Sequence, residues 1–389
     1  MTRAADYPPE AMDVWILAGQ SNMEGCGSLE GALEPDQRVW CFNSKGEWGI
    51  ARDPLHQLHH SIAPVDMELR RRGFPEDMSD EAVRAHYDAV TVGMGGGLGI
   101  SFGKAMADTL ERPVGLIAAA HGGTSLEDWN HSRKDEGMHS LYGAMLERVR
   151  LAGYPVAGII WYQGEADGLV KADAETYFDR LPGWIAAVRK DLSNPVLPFV
   201  AVQIGCTTMP NPGSEEEAGW DIVRDDLYIL PEHVSYAEVT SAIDLGLEDC
   251  IHIDTPGLIR LGRRAARIAL GLSGVPGMST GPRVTDVRIH NENQVRISCC
   301  RVSGGWQPTR RMSGFSVCHA DGSPVPDNRV FAANRNPGTP ADIMLRLNRR
   351  PKPGECISYG RGLNPYCNVV DEADMPLCAF MKAIDGTEG

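Results

Sequence analysis

The sequence predicts a parallel α/β domain followed by a small all-β unit, and three observations carry that prediction. From residue 13 to about 272, short apolar runs alternate with amphipathic stretches, the order that the strand–helix–strand units of a parallel sheet require. After Pro276 the chain breaks into short alternating segments divided by turn signals such as Asn293, Asp321-Gly322 and Pro326-Asp327, which reads as a small β-sandwich. Between the two, residues 273–282 carry Gly274, Pro276, Gly277, Gly281 and Pro282, a linker composition. The expected division is an α/β domain over 10–272, a linker over 273–282 and a β domain over 283–385.

The first strand is the apolar run Val14, Trp15, Ile16, Leu17 and Ala18, ended by Gly19. Residues 26–96 follow, rich in proline, histidine and charge and poor in periodicity. They are expected to form long loops above the strand ends, where loops commonly carry function. Further strands are expected over 114–120, 156–162, 197–204 and 234–242. Helices are expected over 101–110, over 141–152 with Leu141, Met145 and Val149 at helical spacing, over 174–192, and over 257–272. In the β domain the candidate strands are 284–289, 294–299, 314–318, 342–347 and 356–359.

Composition excludes several partners. A net charge of -15 disfavours nucleic acid and anionic membrane surfaces, which bind proteins largely through Lys and Arg. No apolar run approaches the length of a membrane span. The N-terminus lacks an apolar signal region, so the sequence as it stands reads as cytoplasmic, or as secreted or periplasmic if a leader was removed. Ten cysteines are scattered without a C-x-x-C, and no His pair has zinc spacing, which argues against a metal site. Six of the ten lie after residue 298; a disulfide or two in an oxidising compartment and free buried thiols are both open.

The chemistry-bearing residues start at Ser21, two positions beyond Gly19. A hydroxyl there stands at the carboxyl end of the first strand, where open α/β sheets place ligands, and Gly19 and Gly25 let the backbone turn around it. Ser21 and Asn22 equally suit a turn and a helix N-cap. Glu248-Asp249-Cys250-Ile251-His252 lies after the last strand. Its D-x-x-H spacing lets Asp249 hold one imidazole nitrogen while the other faces the serine; Asp244 and Asp254 are alternative acids. His121-Gly122-Gly123-Thr124-Ser125 follows the strand 114–120 and offers bare backbone N–H groups at the same edge. Trp161-Tyr162-Gln163-Gly164-Glu165-Ala166-Asp167 closes the strand 156–162 and puts the Gln163 amide at that level.

The order G-Q-S-N-M-x-G, G-G-T, W-Y-Q-G-E-A-D, D-x-x-H resembles the SGNH hydrolase superfamily, in particular its sialate O-acetylesterase and carbohydrate acetylesterase branch. The strings Ile357-Ser358-Tyr359-Gly360, Asn364-Pro365-Tyr366-Cys367-Asn368 and Met375-Pro376-Leu377-Cys378-Ala379-Phe380 are similar to the end of sialate O-acetylesterases. The resemblance implies a flavodoxin-like three-layer SGNH domain and a serine acetylesterase without cofactor. Ser21 would be its nucleophile, His252 its base and Asp249 the orienting acid. Its oxyanion hole would be the Ser21 N–H, the Gly123 N–H, with Gly122 in reserve, and the Gln163 side chain. His121 departs from the pattern, which has a small or apolar residue there, and either touches substrate or holds a loop.

The implied partner is an acetylated carbohydrate. Trp129, Trp161, Tyr162 and Trp220 are candidates for stacking on a pyranose, and Glu165, Asp167 and Arg224 for binding its polar groups, Arg224 a carboxylate. Core packing for the aromatics and salt bridges for the charges account for the same residues equally well. Two other functions remain open: an SGNH hydrolase of lipid or small-molecule esters, and a non-catalytic carbohydrate-binding protein.

Overall fold

In the computed structural model, which describes residues 8–210 and 213–387, the chain begins in strand β1 (Asp13–Gly19). Six of its seven residues are buried, because it is apolar on both faces, as a strand covered on both sides must be. Then come β2 (Gly27–Ser28), β3 (Val39–Phe42), β4 (Trp48–Ile50), β5 (Met94–Gly96), β6 (Val114–Ala118), β7 (Val156–Tyr162), β8 (Phe199–Gln203) and β9 (Ala237–Ser241). Seven of these form one sheet in the order β4-β3-β6-β1-β7-β8-β9, parallel throughout except for β4 on β3. Without β3 and β4 the order is second-first-third-fourth-fifth, the flavodoxin-like arrangement.

Both faces are covered. Gly99, opening the helix Gly99–Leu110, sits against Leu17 and Leu116, and Trp15 meets Phe102 of that helix at 5.3 Å. The helix Thr255–Leu272 packs beside it. Trp161 is register partner of Ala18 and therefore points to the opposite face, where it meets Trp184 of the helix Tyr177–Asp191 at 4.5 Å.

Three expectations need correction. Residues 26–96 are not simply loops: they add β3 and β4 to the sheet and form helices Pro64–Arg70 and Asp80–Val90. Pro at the first turn of one and the Ser79 side chain accepting from Ala82 N–H at the other are ordinary start signals, obscured by short length and high charge. The stretch 174–192 divides into Lys171–Ala174 and Tyr177–Asp191. A helix of 20 residues, Ser214–His233, was not anticipated; Gly219 and Pro231 interrupt its pattern, while Glu215, Glu216 and Glu217 suit its N-terminal dipole.

The β region holds a five-stranded sheet (Val330–Arg335, Ile343–Leu347, Gln294–Cys300, Arg283–Asn291, Asp385–Thr387) and a three-stranded one (Phe315–His319, Glu355–Tyr359, Phe380–Ala383). Val287, Ile297, Leu345, Ile357, Tyr359 and Phe380 from both share one buried cluster. All ten cysteines are free. Among the described residues no helix is long and apolar enough to cross a membrane.

Candidate active site

The loops that leave β1, β6, β7 and β9 emerge at one sheet edge, because the strands are parallel. They line a cavity of about 750 Å³ that contains Ser21, Gly123, Glu165, Asp249 and His252 together. Ser21 opens the short helix Ser21–Glu24. The bend before it requires glycine: Gly19 has φ +135°, and a Cβ there would lie 2.1 Å from the Tyr162 carbonyl oxygen.

The Asn22 side chain joins the serine turn to the histidine loop. Its amide donates to Glu165 Oε1 at 2.8 Å and to the Ile251 carbonyl at 3.3 Å, and its oxygen accepts from Ile253 N–H at 2.9 Å. His252 Nδ1 donates to Asp249 Oδ2 at 2.7 Å, so its Nε2 carries the lone pair. Asp249 Oδ1 accepts the N–H groups of Ile251 and His252, both at 2.8 Å. Burial would raise this carboxyl, but the imidazole and the two N–H groups outweigh it and hold it below the usual carboxylate range. The alternative acids are engaged elsewhere: Asp244 pairs with Arg264 at 2.7 Å, and Asp254 caps Gly257 N–H at 2.8 Å.

The N–H groups of Ser21 and Gly123 have no acceptor among the described residues, and both residues line the cavity. Gly123 has φ +71°, a conformation glycine adopts freely. Gly122 is not available: its N–H donates to Glu24 Oε2 at 2.8 Å. Gln163 does not reach the cavity either, which corrects the expected third oxyanion donor. It is fully buried, and its amide donates to Asp167 Oδ2 at 2.5 Å, the Thr124 carbonyl at 3.1 Å and Gln20 Oε1 at 3.3 Å. A side chain placed after β7 points either toward the cavity or under the sheet edge, and the string alone does not distinguish them. His121 holds a loop: buried, it bonds Asp66 at 2.9 Å, and Asp66 also pairs with Arg148.

Sequence reading missed a second part of the lining, where Cys26, His56, His59 and Arg70 come from 26–96. Arg70 pairs with Glu24 and lies 4.6 Å over the Tyr87 ring. His56 accepts Ala120 N–H on Nε2 at 3.2 Å and donates Nδ1–H to the Glu24 carbonyl at 2.8 Å. Burial lowers its pKa to about 4, so it is neutral. Burial raises the Cys26 thiol strongly, which keeps it protonated. Among the described residues one trio, His59, His60 and Asp88, brings metal-ligating atoms together; each imidazole Nε2 lies 3.0 Å from Asp88 Oδ1, a hydrogen-bonded arrangement.

A family model described as carbohydrate esterase, sialic acid-specific acetylesterase, matches residues 11–271. The chain belongs to this family. A sialic acid-specific acetylesterase family member of this kind is a carboxylic ester hydrolase. A probable carbohydrate esterase of Arabidopsis thaliana is 32% identical over 203 residues, covering 51% of this chain and 70% of that protein. Human sialate O-acetylesterase is 24% identical over 175 residues, 40% of this chain and 31% of its own length, so the chain matches about a third of that relative. A crystal structure of a carbohydrate acetylesterase from Xanthomonas citri superposes with TM-score 0.66 at 19% identity, covering 95% of this chain and 80% of that one, which shows a shared fold.

Within this acetylesterase family fold, two of the three expected substrate contacts are placed elsewhere. Trp129 is fully buried, packed on Trp161 and Trp184 with Nε1 on Thr124 Oγ1 at 3.1 Å. Arg224 is buried and donates to the carbonyls of Ile204 at 3.2 Å, Gly205 at 2.5 Å, Gly360 at 3.1 Å and Gly362 at 2.5 Å. It ties the α/β region to the β region. Trp161, Tyr162 and Trp220 are also core, and buried Asp167 binds Arg180 at 3.0 Å. Only Glu165 lines the cavity. Burial raises its carboxyl against the pull of Asn22, and its Oε2 has no partner.

Proposed function

We propose that this protein is a serine esterase that removes O-acetyl groups from a carbohydrate through an acyl-enzyme intermediate. The observation that carries this reading is the shared cavity of Ser21, His252 held by Asp249, and the free N–H groups of Ser21 and Gly123. Ser21 Oγ attacks the acetyl carbonyl while His252 Nε2 takes its proton, and the two N–H groups receive the oxyanion. The ester C–O bond breaks, and His252 returns the proton to the departing sugar oxygen. Water then repeats the sequence on acetyl-Ser21 and releases acetate.

Ser21→Ala is expected to abolish hydrolysis of p-nitrophenyl acetate with circular dichroism and melting temperature unchanged; retained turnover overturns the assignment. A second reading has one observation in its favour. Val90, Met94, Leu169, Val170 and Ile251 line the same cavity, which suits a longer acyl chain as well as the apolar face of a sugar. A p-nitrophenyl ester series from acetate to octanoate decides, since the acetylesterase falls steeply in kcat/KM beyond acetate.

A further inference from the structure

Every ionisable group on the cavity wall bears on which sugar it accepts. Arg70 is the only Lys or Arg among the lining residues, against the carboxyls of Glu24, Glu165 and Asp249. That one cation is occupied. Its guanidinium pairs with Glu24, lies over the Tyr87 ring, and has its Nε buried out of reach of solvent. Glu24 in turn spends its second oxygen on Gly122 N–H at 2.8 Å, so the ion pair is anchored to the backbone.

Neither of the two lining histidines outside the Asp249 pair reverses this balance. His56 is neutral, its pKa near 4, and burial also lowers His59. Burial raises Glu165 toward its neutral form, yet the cavity then still carries the Glu24 and Asp249 charges against Arg70 alone. Arg224, the residue that sequence favours as a carboxylate anchor, lies buried with four backbone carbonyls as its partners.

Resting on the esterase reading above, we infer that the cavity selects against acetylated sugars that carry a carboxylate, and that its substrate is an uncharged acetylated saccharide. A carboxylate entering a space whose one Lys or Arg among the described lining residues is already paired with Glu24 loses water for little compensating charge, and it meets net negative charge. The chain's overall charge of -15 opposes the approach of anions as well. An uncharged sugar incurs neither cost.

The test is a matched pair: an O-acetylated sialic acid and its methyl ester, with acetylated xylo-oligosaccharide as the uncharged sugar, each followed by acetate release. The methyl ester is expected to exceed the free acid about tenfold in kcat/KM, the scale of one unit charge at several ångströms in a partly wet site. Acetate is also expected from the xylo-oligosaccharide. Arg70→Gln is expected to change the acid and the ester by the same factor. A free acid turned over as well as its ester, a selective collapse of the free acid in Arg70→Gln, or no acetate from any uncharged sugar overturns the inference. Failure of the esterase reading itself is seen separately, as no hydrolysis of p-nitrophenyl acetate, and removes the inference with it.

Discussion

The two parts of the cavity lining are built on different plans. On the sheet side, Ser21, Gly123 and Glu165 each stand within a few residues of a strand end, and His252 is held by Asp249 three positions earlier. In the part that comes from 26–96, partners are far apart in the chain: Arg70 with Glu24 and His56 with Ala120, while Asp66, buried away from the lining, binds both His121 and Arg148. Strand ends position Ser21, Gly123 and Glu165, whereas buried polar pairs hold the residues from 26–96 against them. Substitutions on the first wall should therefore cost turnover and little stability. Those on the second should cost stability or geometry first.

His252→Ala tests the first half with the largest effect. Its kcat/KM on p-nitrophenyl acetate is expected to fall by roughly 10⁴ to 10⁶, the scale for losing a triad member. The side chain is 24% exposed, with one hydrogen bond to Asp249 at 2.7 Å, so the melting temperature should stay within about 2 °C of wild type. Calorimetry beside steady-state kinetics checks both numbers; a large drop in stability with modest loss of turnover would break the comparison.

The same contrast governs how far the molecule could be read in advance. β7 and the helix Leu141–Ala152 match their expected bounds, because long apolar periodicity and clear caps act locally. Ser21, Asp249 and His252 meet in one cavity, and each lies in a short string, Ser21 just past β1 and the Asp249–His252 pair in the loop between β9 and the helix Thr255–Leu272. Gln163 lies in an equally specific string and still turns inward, since a fully buried amide whose Nε2 donates to Asp167, Thr124 and Gln20 is a tertiary outcome. Trp129 and Arg224 fail similarly; their residue types suit sugar binding, but burial and partner choice are set by packing. The 26–96 wall was illegible because its pairs span tens of residues and leave no periodic trace.

His56→Gln probes the second wall through pH. The folded-state pKa of His56, about 4, lies below its ordinary value, so the unfolded chain binds the proton more readily. The stability it contributes is complete above the unfolded pKa of about 6.5 and is lost as pH falls toward 4. Lost in full, the preference for neutral imidazole amounts to on the order of 3 kcal/mol. Glutamine does not titrate, so the variant should lie below wild type near neutral pH and converge on it toward about pH 4 in denaturant melts. Parallel curves would show that His56 is no part of what holds this wall.

Glu24 belongs to both walls, and its substitutions have the smallest expected effect and the sharpest meaning. It sits at the end of the serine turn, yet one oxygen binds Arg70 from the 26–96 part of the lining and the other fixes Gly122 N–H, next to the free Gly123 N–H. If that bond positions the oxyanion donor, Glu24→Ala should lower kcat by up to about 10²-fold with KM less affected, the cost of misplacing a group by around an ångström. Glu24→Gln keeps an acceptor for Gly122 while losing the charge facing Arg70, so it should recover most of that and fall within about tenfold of wild type. A purely structural role predicts otherwise: both variants would lose stability together, with no split between kcat and KM and no rescue by glutamine. Parallel measurement of kcat, KM and melting temperature for the pair separates a positioning bond from a packing one.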